Sequence, residues 1–201
     1  MDASQVTTEV MKEMSQNQTL TKYEPSNTLK IAVATVFTAL VFVVSSQIPP
    51  IPIPATGGYF NVGETTIYVA ALVFGPLVGA FAGGVGAALS DLYLGYSFFA
   101  PGTLIIKAIE GASVGFLNIK LKRYIQNQTL CAVIATITGG LTMVLGYFLY
   151  ENLLAVLVPS LNIYAIGEVP LNIGQMLVGL LIAVPIMHAI LRVFPQLKSQ
   201  F

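Results

Sequence analysis

The sequence predicts an all-α fold: an integral membrane bundle of about six transmembrane helices with both termini in the cytosol. Three observations lead there. The 201-residue chain is 55% hydrophobic and only 9% charged, with a mean hydropathy of +0.79, whereas a water-soluble domain carries about 25% charged residues. Long stretches contain no charge, several of them near the ~20 apolar residues that a helix needs to cross a bilayer. The remaining cations gather at alternate ends of these stretches, as expected of cytosolic loops.

Residues 1–28 read as a polar cytosolic tail, with a short amphipathic helix expected around Val6 to Met14. The first thirty residues show no apolar core of the kind a cleavable signal peptide needs. The membrane domain covers 29–195, and 196–201 form a short cytosolic tail. The first helix is expected over 31–47. Beyond it Pro49, Pro50, Pro52 and Pro54 remove backbone donors and clash with preceding carbonyls, so 48–58 is expected as an ordered apolar loop. Gly75-Pro76 divides the charge-free run between Glu64 and Asp91 into a short second helix, 61–74, and a third, 76–93. Pro76 suits a first helical position. The fourth helix is expected over 102–119, the fifth over 129–156 and the sixth over 170–194, with a kink at Pro185. This arrangement puts Lys12, Lys22, Lys30, Lys120, Lys122, Arg123, Arg192 and Lys198 in the cytosol and leaves Lys107 within the fourth helix. The Asn-Gln-Thr sequons at Asn17 and Asn127 fall on the same side and read as chance matches.

The third helix is rich in small residues, Gly79, Gly83, Gly84, Gly86, Ala87 and Ala88 among them, which permit close helix approach in lipid. The first helix carries a smaller set with two registers of spacing four, Ala34/Thr38 and Thr35/Ala39. Internal packing and docking of another membrane subunit both account for such stripes.

The inventory narrows the chemistry. Cys131 is the single cysteine and His188 the single histidine, so neither a disulfide framework nor a multi-histidine metal site is expected. The sequence shows no nucleophile–base pair, metal-ligand cluster or phosphate loop. Hence no catalytic residue, metal or cofactor is expected. Nine Lys and Arg balance nine Asp and Glu, and nothing points to nucleic acid.

Ionisable groups at membrane depth cost about 2.5–3.5 kcal/mol each on insertion scales and suggest function. Glu64 opens the second helix, Asp91 closes the third, and Lys107 lies ~9 Å down the fourth at 1.5 Å per residue. Lys107, Glu110 and Thr103 share a face. Pairing Lys107 with Glu110 leaves Glu64 and Asp91 near helix ends, where water can solvate them. Tyr147 and Glu151 lie four apart with Tyr150 beside them, and Asn172 and Gln175 lie three apart on the sixth helix. All converge on the outer half. Two readings stay open: internal ion pairs with an interfacial aromatic belt, or a pocket for a flat polar heterocycle beneath the 49–59 loop, Phe98 and Phe99.

Three segments carry a resemblance: Gly58-Tyr-Phe-Asn-Val-Gly-Glu64; Gly75-Pro76 leading through the small-residue helix to Ser90-Asp91; and Phe99-Ala-Pro-Gly-Thr-Leu-Ile-Ile-Lys-Ala-Ile-Glu-Gly111. In order and spacing they resemble the S components of energy-coupling factor (ECF) transporters, in the riboflavin-type or uncharacterised branch, over 29–194. The resemblance implies a six-helix subunit of the prokaryotic plasma membrane that hydrolyses nothing. It would bind one water-soluble vitamin or precursor from outside, riboflavin first, with thiamine or pyrimidine precursors, folates and deazapurine precursors as alternatives. It would dock on a transmembrane coupling subunit carried by two ATPase subunits. The substrate residues it implies are Tyr59, Asn61, Lys107, Glu110, Tyr147, Glu151, Asn172 and Gln175, to which the reading of the residues themselves adds Glu64 and Asp91. The family's Ala-x-x-x-Ala docking stripe is replaced here by Ala34/Thr38 or Thr35/Ala39. A self-sufficient secondary transporter is the alternative, but the sequence shows no convincing internal repeat and its charges lie outside the midplane.

Overall fold

The computed structural model describes Gln5, Glu9 and residues 27–53 and 58–197. The helix expected around Val6 to Met14 lies outside the described residues except for Glu9, which is helical. The elements run α1 (Asn27–Gln47), β1 (Ile51–Ile53), β2 (Gly58–Phe60), α2 (Gly63–Phe81), a π-helical segment (Ala82–Gly86), α3 (Ala87–Leu94), α4 (Ala100–Leu121), α5 (Gln128–Leu157) and α6 (Val169–Val193). Two 3₁₀ turns, Pro159–Leu161 and Ala165–Gly167, join α5 to α6. Four stretches, Asn27–Gln47, Gly63–Leu94, Gln128–Leu157 and Ala165–Val193, are long and apolar enough to cross a membrane.

The chain wears many of its large apolar side chains outside. Ile31, Val36, Leu77, Phe81, Leu145, Leu149 and Leu181 are exposed, while Glu64, Lys107, Glu110 and Glu151 are buried. This distribution inverts that of a water-soluble protein and suits hydrocarbon as the surrounding solvent. Helix association then depends on close packing rather than on expulsion of water.

Gly75 breaks α2 with φ +85°, ψ −174°, a conformation that glycine adopts without a Cβ clash, and Pro76 starts the next helical run. The small residues of that run bring it against α4. A Cβ on Gly83 would lie 2.6 Å from the Lys107 carbonyl oxygen, so only glycine permits this approach. The π-helical segment occupies the same contact. α6 runs as one helix through Pro185. Asn127 caps α5, its side chain accepting a hydrogen bond from the Leu130 N–H at 3.0 Å, which gives the sequon there a structural role.

The two ends of the bundle differ in character. One gathers Lys30, the Gly75 break and Ile119 around a groove, and Thr129 Oγ1 meets His188 Nε2 there at 2.9 Å. The other is covered by an antiparallel hairpin in which Ile51 pairs with Phe60 and Ile53 with Gly58. The expected apolar loop thus contains a short strand pair, one departure from an all-α fold.

Candidate functional site

Beneath the hairpin lies a charged cluster assembled from α2, α4 and α6. The Lys107 ammonium donates to the Glu64 carboxylate and sits 3.1 Å from Glu110 Oε2. Glu110 Oε1 accepts from the Tyr68 hydroxyl at 2.8 Å. Gln175 Nε2 donates to Glu64 Oε2 at 2.9 Å, and Gln175 Oε1 accepts from the Asn61 backbone N–H at 3.2 Å. Asn61 Oδ1 in turn accepts from the Gly63 N–H at 2.7 Å, shaping the entry to α2. The pairing of Lys107 with Glu110 alone is therefore corrected: Lys107 is shared, and Glu64 is buried against it rather than solvated at a helix end. Burying one ammonium between two carboxyl groups places a shared counter-charge beside both, away from water.

A second group lies beside it. Asp91 Oδ1 accepts from the Tyr59 hydroxyl at 2.8 Å, tying β2 to α3. Asp91 is buried as well, where solvation was expected. Burial, reinforced by the Asp91 charge, holds the Tyr59 phenol well above its ordinary value, so it stays a donor. The Tyr59 and Tyr96 ring centres lie 4.7 Å apart. The Tyr147 hydroxyl donates to Thr103 Oγ1 at 3.0 Å, and Lys107 Nζ lies 5.6 Å from the Tyr147 ring centre.

These groups enclose a cavity of about 40 Å³. That volume admits a few water molecules, whereas pockets for small ligands occupy roughly 300–1,000 Å³. A heterocycle enters only if the hairpin or the aromatic side chains move aside. Of the residues singled out in the sequence, Tyr59, Asn61, Asp91, Lys107, Tyr147, Asn172 and Gln175 line the cavity. Glu64 and Glu110 hold Lys107 from behind.

Residues 26–192 match the sequence family described as ECF-type riboflavin transporter, S component. The chain belongs to this family. Among relatives of this S component, the thiamine precursor transporter HmpT of Lactococcus lactis subsp. cremoris (strain MG1363) is 29% identical over 162 residues, 78% of this chain and 84% of that protein. A protein of Pyrococcus woesei, described as an uncharacterized protein in gap 3′ region, is 45% identical over 104 residues; the match covers 52% of this chain and 66% of that relative. A solved S component of a bacterial ECF transporter superposes with a TM-score of 0.63 at 16% identity, covering 84% of this chain and 98% of that one, which shows the shared fold. The family consists of transporter S components, which are membrane proteins and not enzymes.

Within this S component, Glu151 is fully buried and stands apart from the cavity wall, beside Glu168. Glu168, Thr103 and Phe99, with Gly58 and Ala87, complete the wall. Glu168 was absent from the sequence candidates, and its signal was an acid directly before the Val169-Pro170 helix start. The two registers of α1 also separate. Ala34 is buried and Thr38 half-buried, facing the bundle, while Thr35 and Ala39 are exposed. Ala34, Thr35 and Thr38 all border an outer groove with Leu77, Phe81 and Val85.

Proposed function

We propose that this S component captures a water-soluble vitamin or vitamin precursor, riboflavin or a thiamine precursor, on the outer side of a prokaryotic plasma membrane. It delivers that cargo inward when coupled to a transmembrane subunit carried by two ATPase subunits. The observation that carries the reading is the gathering of buried polar side chains from α3, α4 and α6 around one cavity beneath the hairpin, inside an otherwise apolar exterior. Separation of this cavity from the cation-bearing end supports an outward-facing mouth, cytosolic termini and six crossings, counting α2 as two at Gly75. Tyr59, Phe99 and Tyr147 supply aromatic walls. Asn61, Asp91, Lys107, Asn172 and Gln175 supply polar contacts, with Glu64, Glu110 and Glu151 behind them. Thr35 and Ala39, on the exposed side of α1, serve as the docking register, with Ala34 and Thr38 supporting it from within.

Mass spectrometry of small molecules released from the purified protein tests this reading, with thermal stabilisation across a panel of vitamins and precursors. A co-purifying vitamin that raises the unfolding temperature is expected. Recovery of none, with no stabilisation by any member of the panel, would count decisively against capture. Uptake by cells lacking every coupling subunit would overturn the dependence on an ATPase module and favour a self-sufficient transporter.

A further inference from the structure

Leu77, 56% exposed, stands as a ridge between two grooves on the outside of the bundle. One groove, of about 260 Å³, passes the Gly75 break, Pro76 and Ile119. The other, of about 270 Å³, passes Thr35, Phe81 and Val85. Two residues line both grooves: Leu77 and Lys30. Among the described residues, Lys30 is the one charged side chain in either groove. No described carboxylate pairs with it, since both ion pairs among those residues belong to Lys107.

The walls are otherwise apolar in what they offer. The Thr35 hydroxyl donates to the Ile31 carbonyl at 2.9 Å and the Thr38 hydroxyl to the Ala34 carbonyl at 2.8 Å, so the proton of each is spent within α1. Helix stability does not account for the lysine. Asn27 opens α1, which puts Lys30 in the first turn, where a cation opposes the helix dipole. Its position does match a membrane boundary. It lies at the start of a stretch long and apolar enough to cross a bilayer, where a flexible lysine stem lies along apolar surface and carries its ammonium to headgroup level.

We infer that this place binds one anionic glycerophospholipid of the surrounding bilayer, with its phosphate at Lys30 and one acyl chain in each groove, parted by Leu77. Any lipid covers apolar surface. Two channels that meet at one unpaired cation match, in shape and charge, a two-chain lipid with a net negative head. Basic pockets between membrane helices are a general means of headgroup recognition. A zwitterionic head brings its own ammonium near Lys30 and gains less. A free phosphate lacks the chains that the grooves hold.

Native mass spectrometry of the purified full chain in detergent tests the assignment with three lipids added in equal amounts: dioleoyl phosphatidylglycerol, dioleoyl phosphatidylcholine and single-chain oleoyl lysophosphatidylglycerol. One phosphatidylglycerol per chain is expected, retained about fivefold more strongly than phosphatidylcholine, the effect of one lysine on an anionic headgroup. The single-chain lipid fills one groove and is expected to be held more weakly than its two-chain counterpart. Lys30→Gln should bring phosphatidylglycerol down to the phosphatidylcholine level, and Lys30→Arg should keep the preference. Circular dichroism checks the folding of both variants, and the wild-type comparison decides if either fails to fold. Glycerol phosphate in excess should leave the adduct in place. Equal retention of the two headgroups, equal retention of the one-chain and two-chain forms, a preference that survives Lys30→Gln, or displacement by glycerol phosphate overturns the assignment. So does a dimer mass in place of the lipid adduct, which would seat a second copy of the chain in the grooves.

Discussion

Gln175 and Glu64, 111 residues apart, share a 2.9 Å hydrogen bond, and the other end of the same amide accepts from the Asn61 backbone at 3.2 Å. One side chain thereby joins α6 to the start of α2 and to the link that leads into it from β2. The orientation of the amide is fixed, because only its NH₂ group can donate to the carboxylate and only its oxygen can accept from the N–H. Gln175→Leu is expected to destabilise the fold by about 1–3 kcal/mol, since it strands the Asn61 backbone N–H and takes one of its two donors from Glu64 Oε2, which keeps Lys107. A lowered thermal midpoint in detergent checks this.

Lys107 contacts two acids at once, so its removal should cost more than removal of either partner. Lys107→Met is expected to lose roughly 3–5 kcal/mol by leaving two buried carboxylates unpaired. Adding Glu64→Gln to that variant should restore part of the loss. Thermal midpoints of the wild type, both single variants and the double variant give the coupling. Additive effects would mean that the two side chains do not interact.

The Tyr59 hydroxyl fastens the hairpin to Asp91. Tyr59→Phe removes that bond but keeps the ring contact with Tyr96. Global stability should fall by only about 1 kcal/mol, whereas a bound vitamin should dissociate several-fold faster. Stopped-flow displacement measures the rate, and an unchanged rate would separate hairpin movement from ligand release.

On α1 the exposed register is the one to mutate for docking. Ala39→Leu and Thr35→Leu should prevent co-purification with a coupling subunit while ligand affinity and thermal midpoint stay at wild-type values. Thr38→Leu should behave differently. The Thr38 hydroxyl donates to the Ala34 carbonyl at 2.8 Å, and a Cβ on Gly86 would lie 2.7 Å from the Thr38 carbonyl oxygen. Added bulk there should lower the thermal midpoint itself.

Much of the fold was legible because punctuation in the sequence is strong where it matters. Gly75-Pro76 marks a break that no side-chain contact needs to explain, and the helix ends fall within two residues of the expected ones for α4, α5 and α6. The strand pair was not legible: three-residue strands leave too short an alternation, and prolines mask it. The ion cluster was half legible. Spacing of three reveals the Lys107–Glu110 neighbourhood, but nothing local announces that Glu64, 43 residues earlier, reaches the same nitrogen. Glu168 escaped notice because it precedes its helix and looks like an ordinary loop acid, whereas the fold turns it inward.

The hairpin has one more consequence. Ile51 is 64% exposed at its rim, in a strand with an open side. Pro50 and Pro52 occupy alternate positions, so their missing N–H groups fall along the same edge, and β1 still ladders with β2 through Ile51 and Ile53. That free edge lacks N–H donors at both positions and offers a passing polypeptide carbonyl acceptors alone. An apolar ribbon that would otherwise invite fibre-like self-association is thereby kept solitary while the chain emerges and inserts.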